Sequence, residues 1–335
     1  MNSAPTVTVV IPLYNAARWI SLSLACALRQ TFDDFEVVVV DDGSTDDGGR
    51  IAAGFADPRV RVIRQENRGL AGARNTGVRN ARGRYVALLD ADDLWTPDKL
   101  ARHVAHLDAE PTVGVSFSWS AMIDEAGRAL GMAQRPRPGA VDAAHVFCRN
   151  PVGNGSAAVI RRAALDDIVF RDPGHGEACW FDETFRQSED IECWTRMAAT
   201  TRWRFACVPA PLTLYRVNRD GLSANVEAQF ATWTRFRQAV ACYAPDLEAR
   251  CGGLAQAYQL RYLARRAVHG GDFATARRLV AAGLRSDPRI LIQEPARTLV
   301  TIAAAVLLGA VPARLRETVQ RRGAALAARL PALRA

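Results

Sequence analysis

Short apolar runs alternate with amphipathic segments over the first third of the chain. The apolar runs predict five strands: Val7–Ile11, Phe35–Val40, Val60–Arg64, Tyr85–Leu89 and Val113–Trp119. The segments between them predict four helices: Ala17–Gln30, Ser44–Phe55, Leu70–Ala81 and Pro97–Asp108. Continuous apolar strands separated by helices are typical of an α/β domain, in which flanking helices cover both faces of a mostly parallel central sheet.

The pattern is less regular after residue 120 and becomes helical after about residue 225. Residues 153–162 predict a loop that leads into a strand, Glu189–Ala199 predicts a helix, and residues 207–217 predict an extended segment. Residues 262–288 predict two helices joined by a Gly-Gly-Asp turn. We therefore expect an α/β domain followed by a C-terminal helical extension over residues 226–335.

Residues 298–313 form an uncharged stretch with arginines on both sides. At about 16 residues, the stretch is shorter than the ~20 that a membrane-spanning helix needs. Three interpretations stay open for it. It is a buried core helix, a helix that lies in an anionic membrane surface with residues 296–322 as the docking segment, or, least in keeping with its length, a membrane span.

Composition adds a strongly basic balance to this outline. The chain has 335 residues and a net charge of +8, and Lys99 is its single lysine among many arginines. A basic surface favours phosphates, anionic lipid headgroups or nucleic acid. The chain lacks the interleaved aromatic and basic residues that bind nucleic acid, so we expect no nucleic-acid partner.

Cysteine and histidine usage argues against disulfides and zinc. The seven cysteines are scattered and form no C-x-x-C pair, which is typical of reduced thiols in a cytosolic protein. His103 and His106 are three residues apart, but no further ligands accompany them. The first strand begins without the basic and long apolar regions of a signal peptide. We expect a cytoplasmic protein, peripheral at the inner face of the plasma membrane if residues 296–322 dock.

Polar residues follow three predicted strands at the point where each strand ends. The three segments are IPLYN at 11–15, DDGS at 41–44 and LDADD at 89–93. Ligands bind beyond the carboxyl ends of parallel strands, so neighbouring strands would gather these carboxylates at one edge. Two like charges ~4 Å apart cost about 4 kcal/mol at an effective dielectric near 20. A divalent cation, an arginine or both must therefore offset them.

Asp90 and Asp92 are two residues apart in an extended segment, so their side chains point the same way and suit one hard cation. The segment 66–83 supplies Arg68, Arg74 and Arg79, and Arg74 is the expected counter-charge. Adjacent carboxylates alone are less informative, because Asp42 could also cap the helix predicted after Ser44.

Three segments together resemble a family 2 glycosyltransferase of the GT-A fold. They are VTVVIPLYNAARWI, VVVVDDGSTDDG and GLAGARNTGVRNARGRYVALLDADDLWTPDKL. The resemblance is dense over residues 5–110 and looser to about 225. It implies a Rossmann-like nucleotide-diphospho-sugar transferase domain over 1–225, with a nucleotide-binding half at 1–115 and an acceptor half at 116–225.

The resemblance also implies a reaction. A hexose-type sugar would pass, with inversion, from a nucleotide diphosphate sugar to a hydroxyl of a glycan or lipid-linked acceptor. The cofactor would be Mg²⁺ or Mn²⁺, the default donor a UDP-sugar, and the process cell-surface polysaccharide synthesis. The alternative is a non-catalytic nucleotide-sugar-binding or scaffold protein with a degenerate transferase head. A dehydrogenase is disfavoured, because no G-x-G-x-x-G follows the first strand.

Matched motif by motif, the resemblance implies a set of nucleotide-binding residues. Pro12, Leu13 and Tyr14 would wall the pocket for the base and ribose. Asp42 would hold the edge of the base, and Asp41 would support the loop.

The D-x-D element is Asp90-Ala91-Asp92. Asp90 would face the ribose, Asp92 would ligate the metal on the diphosphate, and Asp93 would support them. Arg74 would lie against the nucleotide. The tail segment often reads Y-R-x-H, but Asn218 replaces the histidine here, so diphosphate binding by Arg216, Asn218 or Arg219 is left open.

On the acceptor side, the resemblance implies that Asp190 is the catalytic base and Glu189 its neighbour. From the residues alone, the two carboxylates could equally mark a helix N-terminus. Three small or polar residues would border the donor sugar: Asn154, Gly155 and Ser156. Trp180 would lie near the acceptor or in the core, and both readings stay open.

Overall fold

A computed structural model of the chain describes residues 4–136, 139, 141–217 and 226–310, without the side chains of 226–228, 309 and 310. The chain divides into two compact units. The first comprises residues 1–146 and 150–221, and the second comprises residues 147–149 and 222–335.

The first four strands of the sheet are the ones predicted from the sequence. They are β1 Val7–Leu13, β2 Phe35–Asp41, β3 Val60–Arg64 and β4 Tyr85–Leu88, and they pair in parallel in the order β3-β2-β1-β4. Every residue of β1 and β2 is buried. The carboxyl ends of β2, β1 and β4 therefore lie side by side at one edge of the sheet.

Four helices cover this sheet, and each predicted helix is present in shortened form. They are α1 Ile20–Leu28, α2 Gly48–Ala53, α3 Gly69–Arg79 and α4 Lys99–Ala109. Side chains on successive strand positions point to opposite faces, so Val9 packs in the cluster that contains α1 and α4. Val10 packs in the other cluster, which contains α3.

The second half of the unit completes the sheet with strands of both directions. Its elements are β5 Leu94–Trp95, β6 Val113–Ile123, β7 Ala129–Gln134, α5 Ala143–Arg149, β8 Ala158–Arg161, α6 Arg162–Asp166, β9 Phe170–Arg171, β10 Ala178–Cys179, α7 Glu189–Thr200 and β11 Arg204–Arg216. The sheet continues β4-β8-β6-β11-β5, with β7 beside β6. β8 runs antiparallel to both β4 and β6, so the sheet as a whole is mixed rather than mostly parallel.

The second unit is helical, as the sequence predicts. Its helices are α8 Val226–Tyr243, α9 Pro245–His269, α10 Phe273–Ser286, α11 Ile290–Gln293 and α12 Pro295–Ala310. Helices α9 and α10 meet at the predicted Gly-Gly-Asp turn, where Gly271 has φ +79° and the Asp272 carboxylate accepts a hydrogen bond from the Thr275 amide. Leu263 and Ala305 are fully buried in the core of this unit.

Helix α12 contains most of the uncharged stretch and has two different faces. Thr301 and Ala305 are buried on one face, whereas Leu299 and Leu307 are 56% and 63% exposed. The stretch is thus part of the core on one side only, and residues 311–322 of the predicted docking segment lie outside the described residues. Among the helices that the structure describes, none has the length and hydropathy needed to cross a membrane.

Candidate functional site

The loops after β1 and β2 are tied together at the carboxyl edge of the sheet. The Asn15 side chain accepts a hydrogen bond from the Thr45 amide at 2.8 Å, and the Asn15 amide donates to the Ser44 hydroxyl at 3.1 Å. The buried Asp41 carboxylate accepts from the Ser44 amide at 2.9 Å. Asp41 thus holds the loop that follows β2.

The three residues expected to wall a nucleotide pocket differ in exposure. Pro12 and Leu13 are buried, and Leu13 packs in the hydrophobic core. Tyr14 has a side chain that is 54% exposed at the edge of the sheet. Of the three side chains, Tyr14 is therefore the one that could meet a ligand directly.

Asp42 binds the start of α3 rather than capping a helix after Ser44. Helix α2 begins only at Gly48, and Asp42 accepts hydrogen bonds from the backbone amides of Arg68 and Gly69, each at 2.9 Å. The Gln65 side chain adds a third hydrogen bond at 2.7 Å. Burial raises the pKa of Asp42, although these donors oppose the shift. The capping alternative from the sequence is wrong, and Asp42 instead fixes the loop between β3 and α3.

The D-A-D-D loop after β4 is held by hydrogen bonds from distant elements. The fully buried Asp93 carboxylate accepts from the Ser156 hydroxyl at 2.6 Å and from the Arg216 amide at 2.8 Å. Ser156 also accepts from the Asp90 amide at 3.0 Å. Burial, with the charges of Asp92 and Asp90, raises the pKa of Asp93 well above its usual range.

Arg74 links this loop to the start of helix α7. One of its η nitrogens donates to Asp90 at 2.8 Å and the other to Glu189 at 2.5 Å, and the side chain is 1% exposed. Burial alone would lower the pKa of Arg74, but Asp90, Glu189 and Asp190 raise it well above its usual range. Arg74 is therefore a charged bridge between two halves of the site.

Gly155 is the residue that lets Arg74 adopt this position. A Cβ atom at residue 155 would lie 2.1 Å from an η nitrogen of Arg74 and 3.2 Å from the Asp90 carboxylate. The other two residues of the predicted sugar loop point elsewhere. Asn154 donates to the Ser120 hydroxyl at 2.8 Å, and Ser156 bonds the D-A-D-D loop as described above. The described contacts of all three are with the protein itself.

Helix α7 begins with the two predicted acceptor-side carboxylates. Glu189 is 4% exposed, and burial raises its pKa to about 7, with Arg74 lowering it and Asp190 raising it. Burial also raises the pKa of Asp190, and its carboxylate accepts a hydrogen bond from the Ile191 amide at 2.8 Å. A carboxylate whose pKa approaches neutrality is a better proton acceptor than an ordinary one.

Helix α3 also fixes the segment that precedes α7, through residues that the sequence analysis missed. The Asn75 side chain accepts from the amides of Trp180 and Phe181, each at 2.9 Å, and donates to the Phe181 carbonyl at 2.8 Å. Arg68 forms a two-pronged ion pair with Glu183 at 2.8–2.9 Å. Trp180 lies in the core cluster with 6% exposure, which favours the core reading over an acceptor contact.

Arg216 braces the D-A-D-D loop from the side of β11. Its Nε donates to the Asp92 carbonyl at 2.7 Å, and one η nitrogen donates to the carbonyls of Asp124 and Glu125, each at 2.9 Å. The other η nitrogen is buried and has no hydrogen-bond partner within the described residues. Asn218 and Arg219 lie outside the described residues, so diphosphate binding by this tail stays a prediction.

The D-A-D-D loop carries carboxylate oxygens, the type of donor that binds a hard divalent cation. Asp90, Asp92 and Asp93 bring three carboxylates into one turn, and Arg74 pairs with one of them. Mg²⁺ and Mn²⁺ prefer oxygen ligands, and negatively charged carboxylates above all.

A second group, Asp172, His175 and Cys179, has donor atoms within 4.8 Å of one another. There, however, an η nitrogen of Arg68 lies 2.6 Å from the His175 ring. The positively charged guanidinium of Arg68 therefore already occupies the position that a metal ion would take.

Residues 8–169 match the family model described as glycosyl transferase family 2. These residues belong to that family. The family 2 segment covers the nucleotide-side loops, the D-A-D-D loop, Arg74 and the Asn154–Ser156 loop, but ends before Asp190.

Curated relatives share this segment. The succinoglycan biosynthesis protein ExoO of Rhizobium meliloti is 46% identical over 110 residues, which cover 32% of each chain. An uncharacterized glycosyltransferase of Nostoc, alr2836, is 35% identical over 177 residues, which cover 50% of this chain and 54% of the relative. The chain thus spans about a third to half of the length of these two relatives.

Solved structures share the fold over nearly the whole chain. Staphylococcus aureus TarS 1-349 in complex with UDP-GlcNAc superposes with a TM-score of 0.60 at 19% identity, covering 95% of this chain and 92% of that one. The mannosyltransferase PcManGT from Pyrobaculum calidifontis, in complex with GDP-Man and Mn²⁺, gives 0.51 at 23% identity, covering 99% and 83%. The GT-A fold predicted from the sequence is confirmed.

Proposed function

We propose that the chain is an inverting glycosyltransferase that moves a hexose-type sugar from a nucleotide diphosphate sugar to a hydroxyl of a glycan or lipid-linked acceptor. The observation that carries the proposal is the Arg74 bridge, which joins Asp90 of the D-A-D-D loop to Glu189 beside Asp190. Cell-surface polysaccharide synthesis is the proposed process, supported by the succinoglycan role named for ExoO.

The proposed donor site lies at the carboxyl ends of β1, β2 and β4. Tyr14 would contact the base or ribose, and Asp42 would act through the loop that it fixes. Asp92, with Asp90 beside it, would hold Mg²⁺ or Mn²⁺, and the cation would offset the charge that develops on the leaving diphosphate. A nucleotide-sugar donor is supported by the UDP-GlcNAc and GDP-Man complexes of the structural neighbours.

On the acceptor side, Asp190 would take the proton from the attacking hydroxyl. Its raised pKa follows from burial and favours proton transfer near neutral pH. Glu189 and Arg74 would keep the start of α7 at a fixed distance from the donor carboxylates. Donor and acceptor would then meet with no movement of charged groups at the moment of reaction.

A thermal-shift panel of UDP, GDP and dTDP, with and without Mn²⁺, tests this proposal. One of these nucleotides with Mn²⁺ should raise the melting temperature by roughly 5–10 °C when present at about 100 times its Kd. Asp92→Ala should abolish the part of the shift that depends on Mn²⁺. Asp166→Ala, which removes an exposed carboxylate of α6, is the matched control and should keep the full shift. No shift with any of the three nucleotides would contradict the proposal.

We also propose that α12 docks on an anionic membrane surface at the cytoplasmic face. Its exposed face carries Leu299, Val300, Val306 and Leu307, each 48–63% exposed, and it has no charge from residue 298 to 310. Four arginines follow in the sequence, at positions 314, 316, 321 and 322. Apolar side chains next to basic ones suit the boundary between lipid headgroups and acyl chains.

Sedimentation with vesicles tests this docking. We expect the protein to pellet with phosphatidylglycerol vesicles at low salt and to be released from them at high salt. It should not pellet with phosphatidylcholine vesicles. The double variant Leu299→Glu with Leu307→Glu should stay in the supernatant. Met132→Glu, at an equally exposed position on β7, should pellet like the parent protein. Equal sedimentation of parent and double variant would refute the docking.

A further inference from the structure

The only lysine in the sequence is buried in the first unit, away from any ion pair. Lys99 is 0% exposed at the start of α4, and it has no salt bridge to a carboxylate within the described residues. Its ammonium nitrogen lies 3.0 Å from the Ala157 carbonyl and 3.3 Å from the Thr213 hydroxyl. The Ser118 hydroxyl and the His103 ring lie at 3.4 and 3.3 Å. Uncharged acceptors therefore surround it.

Burying an amine in this way costs free energy of folding, and packing alone does not require it. Burial lowers the pKa of Lys99 to about 7, although the charge of Asp93 opposes the shift. Taking an ammonium out of water costs several kcal/mol, and an apolar side chain of similar size often stabilises a core better. Retaining the amine in this chain therefore needs a geometric reason.

That reason lies in the turn Gly155–Ala157, which has the acidic site on one side and Lys99 on the other. Towards the site, Gly155 lies against Arg74, and the Ser156 hydroxyl joins the Asp90 amide to the Asp93 carboxylate. Towards the core, Lys99 donates to the Ala157 carbonyl.

Two further donors hold the turn from the core side. The Trp95 indole and the Thr213 hydroxyl donate to the Ser156 carbonyl at 2.9 and 3.3 Å. Lys99, Trp95 and Thr213 thus belong to three different elements, α4, β5 and β11, and converge on two adjacent carbonyls. The turn cannot shift away from the core without losing several of these hydrogen bonds.

We propose that Lys99 is a positioning residue for the metal–nucleotide site, acting through the turn Gly155–Ala157. Its hydrogen bond fixes the Ala157 carbonyl, which keeps Ser156 in place to orient Asp90 and Asp93. Lys99 itself touches neither substrate nor cation. The effect on nucleotide binding rests on the proposed function, whereas the effect on the geometry of the turn does not.

Lys99→Met, which keeps the length of the side chain and removes the donor, tests the proposal in two ways. Hydrogen–deuterium exchange should become faster at residues 88–93 and 154–158. The largest effect should be at the Asp90 amide, which donates a hydrogen bond to the Ser156 hydroxyl. Binding of UDP with Mn²⁺, measured by calorimetry, should weaken about tenfold, the equivalent of one hydrogen bond to a charged group. Thr213→Val, a milder change of the same network, should shift both readouts in the same direction by less.

The control is Val104→Ala, a cavity in the core one turn further along α4. It should lower the melting temperature and leave both the exchange of residues 88–93 and 154–158 and the affinity for UDP with Mn²⁺ unchanged. If Lys99→Met and Thr213→Val match this control in both readouts, the proposal is overturned. If the parent protein binds none of UDP, GDP and dTDP with Mn²⁺, the proposed function fails, and the exchange data alone decide the role of Lys99.

Discussion

Replacing Asp190 by asparagine is expected to lower the rate of sugar transfer by about 10²–10⁴-fold, the range that a general base contributes. The amide has nearly the shape of the carboxylate but cannot take a proton at neutral pH. Arg74 would keep its ion pairs with Asp90 and Glu189, so binding of the nucleotide with Mn²⁺ should change little. The measurement is nucleoside diphosphate release from hexoses linked to the nucleotide that the thermal-shift panel identifies, at saturating donor.

The pH dependence of the parent enzyme provides a second test of the same role. The base must be deprotonated to act, and burial raises the pKa of both Asp190 and Glu189, the latter to about 7. The activity should therefore fall on the acid side at a pH well above the ordinary carboxyl range, as one transition that belongs to the pair. An acid limb below pH 4.5 would contradict a buried base.

Glu192→Gln is the matched control for Asp190→Asn. Glu192 lies in the same helix α7, is 3% exposed, and pairs with Arg196 at 2.9 Å rather than with the site. This variant should lose stability but keep its rate. If Asp190→Asn retains more than about a third of the parent rate, the base assignment is wrong. If it loses nucleotide binding as well, Asp190 has a structural role. If the parent protein binds the nucleotide but never releases UDP, the non-catalytic alternative is favoured.

The local sequence predicted the elements whose pattern is set by burial on both faces. Strands β1, β2 and β4 are mostly apolar, buried runs, and their parallel pairing follows from the helices between them. The position of β8 was not predictable, because a short strand such as Ala158–Arg161 does not reveal which strands it will pair with. It lies between β4 and β6, which brings the Asn154–Ser156 loop to the D-A-D-D loop.

The site itself was predictable in its residue types and less so in its contacts. The carboxylates at the ends of β2 and β4 were expected to gather at one edge of the sheet, offset by a divalent cation, an arginine or both. Their hydrogen-bond partners were not predicted: Asp42 accepts from the backbone at the start of α3, and Asp93 accepts from Ser156 and Arg216. These partners lie 26 to 123 residues away in the sequence, so only the tertiary fold reveals them. Asn75 lies in the segment GARNTG, but the sequence analysis assigned no role to it.

Replacing Arg74 by methionine is expected to lower the free energy of unfolding by about 3–5 kcal/mol and to abolish transfer. Removing one partner of a buried ion pair leaves the other charge uncompensated, and Arg74 is the partner of both Asp90 and Glu189. The guanidinium is 1% exposed, so water cannot replace it without opening the site. Urea unfolding monitored by circular dichroism measures the loss of stability, and nucleotide diphosphate release measures the loss of activity.

The decrease in the free energy of unfolding caused by Arg74→Met should grow as the pH rises. Burial already raises the pKa of Glu189 to about 7, above its unfolded value, and Arg74 is the group that lowers it. Without Arg74 that pKa rises further, so the folded state binds more protons than the unfolded chain and stability falls as pH increases. The cost of Arg74→Met should therefore be larger at pH 8 than at pH 5.5.

Arg79→Met is the matched control for this prediction. Arg79 lies in the same helix α3, is 20% exposed, and pairs with Glu177 at 3.1 Å outside the site. A partly exposed pair contributes about 1 kcal/mol or less, so this variant should be mildly destabilised, active and insensitive to pH between 5.5 and 8. If Arg74→Met costs no more than Arg79→Met, or costs the same at both pH values, Arg74 does not hold the two halves of the site together.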